Sequence, residues 1–198
     1  MTHRVAVHPL WLRIWHWINL IAVVLMVTSG WQVYNASPIF GQIRFPASIT
    51  LGRWLGGALL WHFAAMWLLA LNLALYIIAN TLTRRWRRRF FPLTPASIRT
   101  DLRAALAARL SHDDLSRYNA VQKLAYLFVL FDLSLLIASG LTLWKPVQLP
   151  FLRDLFGGFD DARVVHFFAM GTLVGFVAVH VVMVAIVPRS LLTMIRGK

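Results

Sequence analysis

Four of the seven histidines, His16, His62, His166 and His180, lie within apolar stretches long enough to cross a membrane. His166 and His180 share one stretch, fourteen residues apart. Along an α-helix that separation is nearly four turns, so both rings leave about the same face, about 21 Å apart along the axis. An ionisable side chain inside a membrane span is a functional candidate by default. Two rings on one face at two depths suit two stacked cofactors, each gripped by a second histidine from another helix.

The elements that must position these side chains follow from composition. Hydrophobic residues make up 59% of the 198-residue chain, and the mean hydropathy is +0.66. That is too apolar for an ordinary soluble domain. Four stretches reach the length of a transmembrane helix: about 10–33, 51–82, 121–143 and 162–187. The expected fold is an all-α membrane protein, a four-transmembrane-helix bundle forming one domain over 1–198 with no internal repeat. The first stretch is too long for a signal peptide and lacks a small-residue cleavage site, so it is expected to be retained. The chain has no cysteine, which removes thiolate-held iron–sulfur clusters and covalent haem attachment.

The net charge of +13 is distributed as a topology signal. Fifteen of the twenty basic residues fall on one side: the two termini and the segment between the second and third spans, with its run Arg84, Arg85, Arg87, Arg88 and Arg89. Arg44, Arg53, Lys145, Arg153 and Arg163 lie opposite, with Asp154, Asp160 and Asp161. The positive-inside rule then places both termini and the long middle segment in the cytoplasm, with the arginines on anionic headgroups. A nucleic-acid partner is not expected.

With that orientation, depth pairs the histidines. The first span enters from the cytoplasm, so His16 lies near the inner face. The second returns from outside, which puts His62 in the outer half. On the fourth span, His166 is outer and His180 inner. The pairs are therefore His16 with His180 and His62 with His166. Two axial histidines saturate haem iron and leave no open position, so bis-histidine b-type haems transfer electrons rather than bind gas. Proton-relay or hydrogen-bonded core histidines are the plain alternatives. Zinc is a poorer fit, because its ligands cluster at one depth. His3, His8 and His112 fall in terminal or loop positions and are not expected to hold iron.

Between the second and third spans, Pro92 and Pro95 stop the second helix. Ser97 is expected to cap a short amphipathic helix running to about Leu110, lying on the cytoplasmic interface. Gly56 and Gly57 could let a helix or a flat cofactor approach the second span closely. The loop from Pro146 to Phe159 is crowded with large apolar side chains, either dipping into the bilayer or forming a docking surface for a partner. Asp132 is a lone carboxylate in the third span.

The stretch Arg13-Ile-Trp-His16-Trp-Ile-Asn19, ending in Ser29-Gly30, resembles the first helix of the bacterial cytochrome b561 and nickel-hydrogenase b-type cytochrome superfamily. Arg163-Val-Val-His166 followed by His180 is similar to that family's two-ligand helix. Tyr118-Asn-Ala-Val-Gln-Lys-Leu-Ala-Tyr126 resembles the start of the third helix of formate dehydrogenase gamma subunits, with Val121 where that family has glycine. The chain as a whole looks most like thiosulfate reductase cytochrome b subunits, which accompany periplasmic molybdopterin oxidoreductases.

The resemblance implies two b-type haems and a quinone near the inner one, with Asn119, Gln122 and Lys123 lining its pocket. The alternative for these three is that they merely begin a helix at the membrane surface. Arg13 and Arg117 could neutralise inner haem propionates, and Lys145 and Arg163 outer ones. No residue is expected to be catalytic, and whether the chain is an enzyme in its own right stays open. The expected function is electron transfer between a periplasmic oxidoreductase and the quinone pool, from a multi-pass protein of the bacterial inner membrane. One alternative is a stand-alone superoxide:quinone oxidoreductase of the same fold. Another is a non-haem proton-coupled transporter or anchor.

Overall fold

A computed structural model describes residues 8–107 and 118–197. It is a four-transmembrane-helix bundle with short accessory helices, and no strand occurs among the described residues. The membrane-length helices are α1 (Leu10–Ala36), α2 (Leu55–Leu82), α4 (Ala120–Trp144) and α6 (Phe159–Ile186). Between them lie α3 (Pro95–Leu106) and α5 (Pro150–Leu155), and α7 (Pro188–Arg196) closes the chain. His3, Leu110, His112 and Arg117 lie outside the described residues.

Local chemistry sets the boundaries. α2 begins four residues later than its apolar stretch. Gly52 (φ 106°) and Arg53 (φ 61°) turn the chain just ahead of it, in a backbone region that glycine tolerates best. Gly56 and Gly57 serve that same turn. A Cβ on Gly56 would stand 2.2 Å from the Trp54 ring, and one on Gly57 2.3 Å from the Gly52 carbonyl oxygen. The close approach there is local, not to a neighbouring span.

α3 starts at Pro95, and its cap is Thr94 rather than Ser97. Ser97 N–H donates to Thr94 Oγ1 and Thr94 N–H to Ser97 Oγ, both at 3.2 Å. This reciprocal capping box puts Ser97 in the first turn. α4 opens with a second box: Gln122 N–H donates to Asn119 Oδ1 (2.7 Å) and Asn119 N–H to Gln122 Oε1 (3.1 Å). Asp160 and Asp161 occupy the first turn of α6, where the helix dipole favours anions. Pro188 ends α6 and begins α7, which stops at Gly197 in the left-handed conformation.

Burial is inverted relative to a soluble protein. Leu71, Phe131 and Val179 are 59–66% exposed on the spans, facing where lipid lies. The largest fully buried side chains are Thr142, Ser29 and Ser139. Small polar residues at helix contacts are how membrane helices pack closely.

The chain divides into two compact units. One comprises His16–Ala74 and Asp132–Val174. In it, Asn72 donates to Asn19 at 3.2 Å, and Phe63 and Trp67 lie against Trp144. The loop after α1 is pinned by Asn35, whose amide bonds both the N–H and the carbonyl of Phe45. Trp31 stacks on Phe45 at 4.8 Å, and Tyr34 on Phe167 at 4.8 Å.

The other unit contains the remaining described residues. An aromatic series joins Trp11, Trp15, Tyr76, Trp86, Phe90, Tyr118 and Tyr126. Asp101 of α3 accepts from the Ala120 N–H at 2.7 Å, fastening the amphipathic helix to the start of α4.

Candidate haem-binding site

The outer histidines, His62 of α2 and His166 of α6, belong to one unit. Their ring centres are 6.4 Å apart, with the ring planes at 69°. Each ring is held on two edges by a Ser-Gly dipeptide of a different helix. Ser29 Oγ lies 3.0 Å from His62 Nδ1, and Ser139 Oγ 2.9 Å from His166 Nδ1. The adjacent Gly30 and Gly140 sit against the ring carbons: a Cβ on either would stand 3.3 Å from Cε1 of its histidine.

Hydrogen-bond directions follow from the proton count. Each serine hydroxyl has one proton. Ser29 Oγ–H donates to the Leu25 carbonyl at 2.5 Å and Ser139 Oγ–H to the Leu135 carbonyl at 2.7 Å. The serine oxygens can then accept, and Nδ1–H of each histidine, which also has a backbone carbonyl beside it (Met26 for His62, Leu136 for His166), is the donor. Nε2 is left with its lone pair, the form in which imidazole binds a metal.

The fit of this pair to haem iron can be tested on its spacing. Two metal–imidazole bonds of about 2.0 Å, each extended by about 1.1 Å from nitrogen to ring centre, span roughly 6.2 Å. The observed 6.4 Å matches. Among the described residues no three histidines, aspartates or glutamates converge on one point. A two-nitrogen site suits a metal whose other four ligands arrive with it, as in a porphyrin.

The inner candidates, His16 and His180, belong to different units. His16 packs beside Trp17 (ring centres 5.4 Å apart). His180 has the Phe176 ring parallel to its own at 6.1 Å and 8°.

The basic residues expected at propionates are engaged as follows. Arg13 Nε donates to the Met194 carbonyl at 3.2 Å and its Nη2 to that of Ile195, holding the end of α7. Arg163 donates to the Ser37 carbonyl at 2.5 Å and lies 3.8 Å from Asp160. Lys145 stands over the Trp144 ring at 4.7 Å. Of the residues expected at quinone, Asn119 and Gln122 cap α4, as the surface-helix alternative supposes. Lys123 Nζ donates to the Pro92 carbonyl at 3.2 Å. Asp132 is buried, and its Oδ2 has no hydrogen-bond partner among the described residues.

The chain matches the family described as prokaryotic cytochrome b561 over residues 7–197. The chain belongs to the prokaryotic cytochrome b561 family. It is therefore a haem b-binding, multi-pass electron-transfer protein of the membrane. It is also 56% identical over 192 residues to a protein of Azospira oryzae, covering 97% of this chain and 96% of that one. That relative carries the name Putative protein-methionine-sulfoxide reductase subunit YedZ1.

The sequence singles out His62 and His166, which the structure brings together, but not the serines and glycines beside them. Ser139 and Gly140 went unnoticed. The signal was present: the chain contains two Ser-Gly dipeptides, 29–30 and 139–140, each on a span and each upstream of an outer histidine. The same arrangement occurs at both rings.

Proposed function

We propose that this family member holds two b-type haems and carries electrons from the quinone pool to a soluble oxidoreductase on the periplasmic side. The observation that carries the reading is the pairing of His62 and His166 at 6.4 Å with both Nδ1 atoms bound by serine hydroxyls. His16 and His180 are the proposed inner ligands, from the fourteen-residue spacing on α6 and the depth of His16 on α1. Haem held by these histidines would supply a one-electron carrier.

The chain's own residues supply the rest. α2 and α6 bring the two rings to one level, and the serines fix which nitrogen faces the metal. The lipid-facing leucines and phenylalanines keep water from the spans. Quinone is proposed at the inner end, with Asn119, Gln122 and Lys123 as the residues placed there by resemblance. Lys123 has donors beyond the one given to Pro92, so it is the member best able to bond a quinone oxygen. The basic middle segment and both termini are proposed to face the cytoplasm.

The likeness to the Azospira protein supports a partner that reduces methionine sulfoxide in proteins. That reduction consumes two electrons and two protons and releases water, restoring the thioether. The electrons would come from quinol, so flow runs outward.

Haem per chain by pyridine haemochromogen, with a reduced-minus-oxidised spectrum, tests the cytochrome part. Two b haems in the native chain are expected, with one retained in H166A and one in H180A. Two haems in either variant would overturn the pairing. Quinol-driven methionine sulfoxide reduction in vesicles containing the chain and its co-purified partner tests the rest.

A further inference from the structure

Ser29 and Ser139 occupy equivalent places on different helices. Each lies one residue before a glycine at which an added Cβ would stand 3.3 Å from an imidazole Cε1. Each donates its hydroxyl proton to the carbonyl four residues back, and each faces Nδ1 of an outer histidine. Both are fully buried. Helix packing alone would be served by alanine. Thr28, the neighbour of Ser29, makes the same bond back to the Val24 carbonyl at 2.8 Å, so a hydroxyl at this level of α1 does not need the ring to be satisfied. What distinguishes the two serines is that their oxygens, while donating to the carbonyl four residues back, are placed to accept at the ring beside the Met26 and Leu136 carbonyls.

We propose that Ser29 and Ser139 are positioning residues that hold both outer histidines in the Nδ1-protonated form and set the potential of the outer iron. A ring N–H that donates to an acceptor makes the opposite nitrogen a stronger base. A stronger σ-donor stabilises ferric over ferrous iron and lowers the midpoint potential. Two such bonds, one on each axial ligand, act in the same direction. The proposal rests on the outer haem assigned above, and its test begins by counting that haem in the native chain.

The experiment uses full-length S29A, S139A, S29T, S139T and T28A in membranes, with haem content, redox titration and low-temperature paramagnetic resonance of the low-spin iron. In the alanine variants the outer midpoint should rise. Loss of a conserved partner behind a metal-bound histidine typically weakens binding 10–100-fold. A tenfold loss for ferric over ferrous iron reads as a rise of about 59 mV. The outer resonance should shift or broaden as the rings lose their fixed orientation. The threonine variants should restore the native potential, and T28A should match the native chain.

Outer-haem loss in the alanine variants with retention in the threonine variants also supports the assignment. A native outer potential in both alanine variants would overturn it, as would equal haem loss in alanine and threonine variants. Absence of the outer haem from the native chain would instead refute the underlying haem reading.

Discussion

Gly30 lies so close to His62 that a Cβ in its place would stand 3.3 Å from the ring's Cε1. Gly140 and His166 repeat the relationship at 3.3 Å. At this separation the ring must give by a few tenths of an ångström, and a ring bonded to Ser29 and facing a second imidazole has little freedom. G30A and G140A should therefore displace a proposed haem ligand. Overpacking of this kind costs about 1–3 kcal/mol. Haem content should fall toward one per chain, with the inner spectrum unchanged. G171A and G175A are the controls. Nothing lies within 4 Å of a Cβ there, and alanine favours a helix over glycine by about 0.5–1 kcal/mol. Those variants should keep both haems and melt no lower than the native chain.

The proximity of His62 and His166 was legible because a polar ring is conspicuous in an apolar run, and because helical rise converts spacing into depth. The spans were legible for the same reason: α4 and α6 begin and end within three residues of the apolar stretches at 121–143 and 162–187. The serine–glycine cradles were not. Serine and glycine are common at any packed membrane-helix contact, and only three-dimensional placement shows that Ser139 meets a ring 27 positions later. Ser97 was misread as a cap because threonine and serine both qualify. The choice of Thr94 is set by where Pro95 begins the helix.

Asn119 and Gln122 separate a structural role from a quinone role by experiment. The capping box satisfies N–H groups that would otherwise be orphaned at the start of α4. N119A should lower stability by about 1 kcal/mol, while N119S, which keeps an acceptor at the cap, should be near native. Thermal unfolding followed by haem release would read this. K123A leaves the box intact and should raise the KM for quinol with little effect on melting. A native KM in K123A would move quinone away from this residue.

Arg13 is committed to the far end of the chain. Its guanidinium bonds the carbonyls of Met194 and Ile195, which are among the acceptors that the end of α7 leaves without helical partners. A cation at a helix C-terminus contributes about 0.3–1 kcal/mol. R13A should therefore speed hydrogen exchange over 188–197. A changed inner-haem potential with unchanged exchange would instead favour the propionate role expected from sequence.

The segment joining α4 to α6 carries the prediction about the partner. Phe151 and Leu155 share a face of α5, one turn apart, and are 66% and 73% exposed. Val147, one turn earlier in the sequence, is 79% exposed. Large apolar groups clustered beyond the ends of two spans either rest in the bilayer interface or meet another protein. The proposed haem ligands lie elsewhere, on α1, α2 and α6, so acidic substitution here should leave the spectrum alone. We expect the double variant F151E/L155E to retain its native haem content and its reduction by quinol. Electron delivery to the co-purified oxidoreductase should fall at least tenfold, because a carboxylate in a docking contact is stranded without a partner. Loss of the chain from the membrane, with coupling intact in the molecules that remain, would assign the face to lipid.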